Sequence, residues 1–446
     1  MTLLELDKAK TVCPLPWLQL SVHADTRLRV CCNSGADGFV HDSEGELVYL
    51  DKVNSLENYF NLPWMKQVRS EMLKGQKPQA CRKCFLVEDS GGKSIRQCLN
   101  DEYKHNEAWH DQFNKTQADG SIDVNLQSID MGLSNKCNIK CVMCEPSFSY
   151  SLKSDFDKLN LGYDVEFAKR ANTLWNDNQN LMQMMQNAAR ANTVNNILTT
   201  GGEPFLSKVH QQILQEFIDS NSAKDILLRY HTNCTVQNKK LFEMWNNFKL
   251  IDVHLSIDAF GELDEYIRFG TKWSTLEEVV SDIIGHEKTK CDVHTTINIL
   301  NIFSLPTLYE WIKTKEVNHK LPFHIWMDGP EWLALKVLPP EMLRRARKKL
   351  TDYFANVEIK DPDFFKDPIC VERKTQIISY IDRAISEGQD IAKYEECLRN
   401  LRSLEGLREN GPVDKIVPEL KELFKVEKKG NQFFKYLRSI FQTKNL

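Results

Sequence analysis

Met131-Gly-Leu-Ser-Asn-Lys-Cys137-Asn-Ile-Lys-Cys141-Val-Met-Cys144 sets three cysteines at CxxxCxxC spacing, directly after an apolar run, Leu126–Leu133, that reads as a β-strand. A loop of this kind at the end of a strand folds three thiolates around one metal centre, because short spacings let a single turn wrap several corners of an iron–sulfur cluster. Three ligands for four irons leave one iron open, as catalysis requires, whereas a structural zinc site recruits its fourth ligand from a second close pair. The segments beyond the loop define the architecture. Strand-like runs recur at Asn196–Thr200, Ile226–Thr232, Ile251–Ile257, Val293–Leu300 and Phe323–Met327. Segments with helical spacing lie between most of them: Val209–Ile218, Asn238–Trp245, Leu276–Ile284 and Leu305–Ile312. This alternation predicts an α/β fold, a parallel sheet with helical crossovers closing into a partial (βα)6 barrel of the TIM type.

Thr200-Gly201-Gly202-Glu203-Pro204 ends the second of these strands. Two glycines let a backbone approach a ligand closely, and a carboxylate accepts hydrogen bonds from an ammonium group. With the cysteine loop, this segment resembles the radical S-adenosylmethionine (radical SAM) superfamily and its GGEP motif. The resemblance implies a [4Fe-4S] cluster on Cys137, Cys141 and Cys144, with S-adenosylmethionine chelating the open iron through its amino and carboxylate groups. One electron breaks the cofactor's sulfur–carbon bond, and the released 5′-deoxyadenosyl radical abstracts hydrogen from a substrate. The cofactor carries the chemistry and the protein positions it.

The same resemblance implies that Gly201, Gly202, Glu203 and Pro204 hold the cofactor's amino end. Asn233 and Ser256 end the third and fourth strands, with Ser256 near the ribose. Arg268, a few residues on, pairs with the cofactor carboxylate, and Asn298 on the fifth strand reaches the ribose or adenine. Barrel-like sheets gather function at these strand ends. Met143 stands where the superfamily often has an aromatic residue, and its sulfur suits packing on adenine. Cys234 stands where a glycine is frequent.

Thirteen cysteines are many for a chain with no secretion signal, and grouped thiols in a reducing compartment point to metal or redox work. Upstream of the barrel, Cys13-Pro-Leu-Pro-Trp17, Arg27-Leu-Arg-Val-Cys31-Cys32 and Cys81-Arg-Lys-Cys84 supply two singletons and a CxxC. Four thiolates close either a cluster or a zinc ion, and spacing does not choose between them. The pattern, with Glu88–Arg96 behind it, resembles the twitch module, a shortened relative of the SPASM domain. That implies an auxiliary [4Fe-4S] cluster on Cys13, Cys31, Cys81 and Cys84, anchoring substrate or accepting an electron from it. The module usually has a glycine where this chain has Thr26, and Cys32 stands as an alternative to Cys31. Cys98, Cys234, Cys291, Cys370 and Cys397 read as small buried hydrophobes.

The chain divides into a loop-rich auxiliary iron–sulfur module over 1–120, a barrel over 121–335 and a helical C-terminal extension over 336–446. The first holds one clear helix, Trp64 to Lys74; the last holds helices at Glu341–Phe354 and Thr375–Ile385. Its basic tail, Phe424–Leu446, sets Phe433, Leu437, Ile440 and Phe441 at helical spacing for docking. Ser147–Asn195 is a long first crossover whose Met182, Met184 and Met185 read as packing residues. His23, His231, His254, His294 and His324 read as ordinary core or strand-end histidines. Asp328 and Glu331 follow the sixth strand, where a general base for an oxidation would stand.

A formal charge of −4 over 446 residues gives no reason to expect a nucleic-acid partner or a polybasic membrane contact. No apolar stretch reaches bilayer length, and Met1–Val12 lacks the apolar run of a signal, so a cytoplasmic protein is expected. The expected function is radical modification of a peptide or protein side chain, with a low-potential donor such as flavodoxin or ferredoxin. Oxidation or rearrangement of an alcohol or sugar by the same chemistry is one alternative. The other is a non-enzymatic iron–sulfur or zinc carrier or scaffold.

Overall fold

Alternation in the strands sets the layers. In Leu227–Thr232, Leu228, Tyr230 and Thr232 are buried while Leu227, Arg229 and His231 are half-buried. Leu250–Ser256 repeats the pattern, with Ile251, Val253 and Leu255 buried. The apolar side of these strands meets helices. Tyr230 packs its ring on Phe205 and Trp245, and its hydroxyl lies 2.8 Å from His210 Nε2 of the helix Lys208–Asp219. The opposite side, polar and half-open, faces the inside of the curved sheet.

The structure is a computed structural model that describes residues 10–89, 92–173, 179–327, 329–408 and 411–424. Asp328, residues 174–178 of the long crossover and the tail beyond Phe424, with Phe433, Leu437, Ile440 and Phe441, lie outside the described residues. The strands are β1 Gln19–Val22, β2 Leu28–Arg29, β3 Ser128–Gly132, β4 Lys140–Cys141, β5 Asn196–Thr200, β6 Leu227–Thr232, β7 Leu250–Ser256, β8 Arg268–Phe269, β9 Thr289–Ile297 and β10 Phe323–Trp326. β3, β5, β6, β7, β9 and β10 lie side by side in that order and pair in parallel throughout. This is the expected mostly parallel α/β sheet.

Three features depart from the sequence reading. β1 joins the outer edge of β3 in parallel and β2 turns back against β1, so one eight-stranded sheet includes part of the N-terminal stretch. β9 begins at Thr289, ahead of the expected Val293, and stops at Ile297. It stops because Asn298 folds a turn: its side-chain oxygen accepts the Leu300 N–H, and Asn301 accepts the Asn298 N–H. Third, β4 and β8 form a separate two-stranded ribbon in which Cys141 pairs with Arg268.

Helices Pro340–Lys360, Pro368–Glu387 and Ile391–Arg408 follow the barrel. A buried pair, Arg373 with Asp292 of β9, ties the second to the sheet. Met184 and Met185 are buried in the core, as packing residues should be. One apolar core runs from Val12 through the barrel to Phe424, so limits near 120 and 335 divide the chain but not the core. Among the described residues no helix is long and apolar enough to cross a membrane.

Candidate active site

The three-cysteine loop leaves β3 at the C-terminal end of the sheet and is held by side-chain and backbone hydrogen bonds. The buried Asn135 donates to the carbonyls of Pro146 and Ala168. Ser149 Oγ donates to the Ile139 carbonyl at 2.9 Å, and the Val142 N–H reaches the Ile267 carbonyl at 2.8 Å. Held this way, Cys137, Cys141 and Cys144 open on one cavity of about 940 Å³, with Met143, Gly201, Gly202, Asn233, Ser256 and Arg268 on its walls. Burial raises all three thiols, Cys144 to about 12. A cation is what would hold them as thiolates.

Gly201 and Gly202 let the turn lie against the cysteine loop, and both also border the cavity. Gly201 has φ +115°, and a β-carbon there would lie 2.6 Å from the Ser134 carbonyl oxygen. The Gly202 N–H donates to Ser134 and the Glu203 N–H to Lys136, at 2.9 and 2.8 Å. The turn thus lies flat on the cysteine loop. Glu203 and Pro204 are buried behind it. The Glu203 carboxylate accepts from the Thr232 hydroxyl at 2.9 Å and from the backbone N–H groups of Asn233 and Phe205 at 2.8 and 3.1 Å. Even so, burial pushes its carboxyl up to about 7. The dipoles around it do not replace a full positive charge, so an ammonium group would be well matched there.

Around the thiols, Asn233 Nδ2 lies 3.6 Å from Cys137 Sγ. Arg268 is pinned through Nε to Asp258 at 2.8 Å and turns Nη1 toward Cys141 Sγ at 4.0 Å. Asn298 does not join them. It is buried in the turn after β9, with its side chain bonded to Thr296 and Leu300. Cys234, where a glycine is frequent among similar proteins, has φ +59°.

The helix Ile391–Arg408 supplies a wall that sequence reasoning missed. Lys393, Glu396, Asn400, Leu404 and Arg408 border the cavity, and their spacing of three or four residues is the stripe that could have revealed it. Arg408 Nε meets Asp155 Oδ2 at 3.2 Å, across 253 residues of chain, and Lys140 meets the other carboxylate oxygen at 2.7 Å. Glu331 also borders the cavity and pairs with Lys393 at 3.3 Å.

Cys13, Cys31, Cys81 and Cys84 border one small void, and Cys32 borders a different cavity. β1 runs parallel to β3 and β2 runs back, so these thiols lie at the N-terminal end of the sheet, opposite the three-cysteine loop. Burial raises Cys13, Cys31 and Cys81, and neighbouring thiols add to each shift. Four thiols around one void suit a metal centre. Thr26, in the glycine position of the resemblance, has φ +71°.

Residues 131–312 match the family model described as Radical SAM superfamily. That stretch is therefore similar to a radical SAM domain. Solved structures similar to the chain include "Native anSMEcpe with bound AdoMet", at 15% identity over 52% of this chain and 62% of that one, with TM-score 0.37. Streptococcus suis SuiB bound to S-adenosylmethionine is 16% identical over 72% of this chain and 66% of that one, with TM-score 0.34. SuiB bound to precursor peptide SuiA is 14% identical over 78% and 70%, with TM-score 0.34. The chain spans 62% of the length of the first of these. No curated protein matches it.

Proposed function

We propose that this chain is a radical SAM enzyme that binds a [4Fe-4S] cluster at Cys137, Cys141 and Cys144, with S-adenosylmethionine beside it. The reading is carried by three thiols opening on one large cavity, with the charge-deficient Glu203 behind its wall. When bound, the cluster and cofactor supply one-electron cleavage to a 5′-deoxyadenosyl radical that takes hydrogen from a substrate. The chain's residues do the positioning. Glu203 attracts the cofactor's ammonium group, while Asn233 and Arg268 direct N–H groups at the sulfurs of Cys137 and Cys141. Such contacts stabilise negative charge on cluster ligands. The helix Ile391–Arg408 covers one side and limits the entry of water.

The favoured substrate is a peptide or protein side chain. A cavity of about 940 Å³ holds a cofactor with room for one side chain, and its rim carries Lys393 and Glu396 for contacts with a polymer outside. Cys13, Cys31, Cys81 and Cys84 form a second metal centre, read as an auxiliary [4Fe-4S] cluster from the resemblance, with zinc as the alternative. Its place across the sheet favours electron transfer or structural support over anchoring substrate.

The test is anaerobic reconstitution followed by S-adenosylmethionine and a strong reductant. Formation of 5′-deoxyadenosine is expected in the wild type and not in a Cys137/Cys141/Cys144→Ala variant. No product from protein with both sites loaded overturns the reading in favour of a carrier or scaffold. Iron, sulfide and zinc contents of that variant identify what the N-terminal thiols hold.

A further inference from the structure

Three histidines outside the radical chemistry meet inside the barrel. His231 on β6, His254 on β7 and His294 on β9 come from neighbouring parallel strands. One ring nitrogen of each lies within 4.8 Å of the others. His254 Nδ1 is 3.1 Å from His231 Nε2. The rings of His254 and His294 lie stacked, with centroids 4.2 Å apart and 13° between their planes.

Packing alone is the simpler account, and the other buried histidines show what it looks like. His210 and His324 each bond a tyrosine hydroxyl, at 2.8 and 2.9 Å. His294 is buried too, but among the described residues its ring has no such tyrosine partner; its Nδ1 is unpartnered, as are the Nδ1 atoms of His210 and His324.

Behind His254 stands a carboxylate. Asp252 Oδ1 lies 3.6 Å from His254 Nε2, and Arg229 Nε lies 3.4 Å from the other Asp252 oxygen. With the proton on Nε2, the nitrogen nearer that carboxylate, Nδ1 is the lone-pair atom facing His231. Metal-bound histidines are commonly oriented by a carboxylate in this way.

We propose that His231, His254 and His294 bind one divalent first-row metal ion, zinc in the first instance, inside the barrel. Three imidazoles and no thiolate suit such an ion, with one coordination position left open. Rotation of the stacked His254 and His294 rings about their Cβ–Cγ bonds brings the nitrogens together. His231 also borders the large cavity, so the open position faces it and takes an oxygen donor, water or a substrate hydroxyl or carboxylate.

The test is Co²⁺ titration of anaerobic protein whose cysteine sites are already loaded, read by visible absorption, with zinc counted in the protein as purified. One Co²⁺ per chain is expected, without sulfur charge-transfer bands and displaced by Zn²⁺. His254→Ala and His294→Ala abolish that uptake, and Asp252→Asn weakens it by about tenfold or more. Asp252→Asn keeps all three imidazoles, so the test stands if a histidine variant misfolds. No saturable uptake by the wild type, or uptake unchanged in the three variants, overturns the proposal. Metal uptake needs no S-adenosylmethionine cleavage, so this site and the proposed function fail separately.

Discussion

Gly202 lies against Lys136 so closely that a β-carbon on the glycine would sit 2.2 Å from the lysine carbonyl oxygen. The turn after β5 and the loop that carries the three cysteines are in backbone contact, with no side chain between them. Gly202→Ala must therefore displace one of the two. The expected result is a folded protein that loses the iron held by that loop, about four atoms per chain, and keeps the metal at Cys13, Cys31, Cys81 and Cys84. Iron and sulfide counts, with circular dichroism as the fold control, check it. Undiminished iron at the loop would show that the backbones can part without consequence.

Glu203 predicts a pH dependence of known sign. Its carboxyl is raised by burial from 4.5 to about 7, so the folded state holds the proton more tightly than the unfolded chain does. Stability of the cofactor-free protein then falls as pH rises through that window, by on the order of 3 kcal/mol in all. Glu203→Gln removes this fall and weakens S-adenosylmethionine binding. Denaturant unfolding at pH 4.5, 6 and 8 gives the slope, and calorimetric titration gives the affinity. Parallel pH profiles for the two proteins would refute the assignment.

Thr26 holds a positive φ of 71°, with its hydroxyl buried and, among the described residues, without a hydrogen-bond partner. A β-branched residue is poorly suited to that conformation. Thr26→Gly is expected to stabilise the protein by about 1 kcal/mol, since relief of backbone strain and of the unpaired hydroxyl outweighs the lost methyl contact. A shift of the urea midpoint upward with an unchanged slope confirms it; a downward shift rejects it.

Arg408 and Asp155 fasten the last described long helix to the cysteine loop through Lys140. Arg408→Gln leaves a buried carboxylate with one cation fewer. The helix Ile391–Arg408 should then open more often, seen as proteolysis within 391–408 roughly tenfold faster for about 1.4 kcal/mol of lost closure. Unchanged cleavage would mean that the helix is held by its apolar face alone.

The parallel strands were legible because Asn196–Thr200, Ile226–Thr232 and Ile251–Ile257 are short apolar or alternating runs separated by amphipathic helices. β1 and β2 were not. Gln19–Val22 is short and wholly buried, and Leu28–Arg29 is too brief to show a period. The start of β9 was hidden by the polar run Thr289–Asp292. The cysteine loop and GGEP were readable as local words, but the contact of Gly202 with Lys136 was not, since it belongs to a fold in which those loops meet. His231, His254 and His294 likewise look unrelated until strand register sets them side by side. Arg408 is the extreme case, because no local pattern relates it to Asp155.

The pairing of β1 with β3 has one more consequence. Cys13 precedes β1 and Cys31 follows β2 at one end of the sheet, while the three-cysteine loop leaves β3 at the other. Their separation is ruled by the rise of an extended peptide, on the order of 15 Å for a strand of this length. No hinge lengthens or shortens that interval. Nor can the first hundred residues be cut away to leave a tidy barrel, because β3 would be bared as a raw edge, inviting another chain to take the place of β1. What looks in the sequence like an accessory at the front of an enzyme is built into it as a party wall.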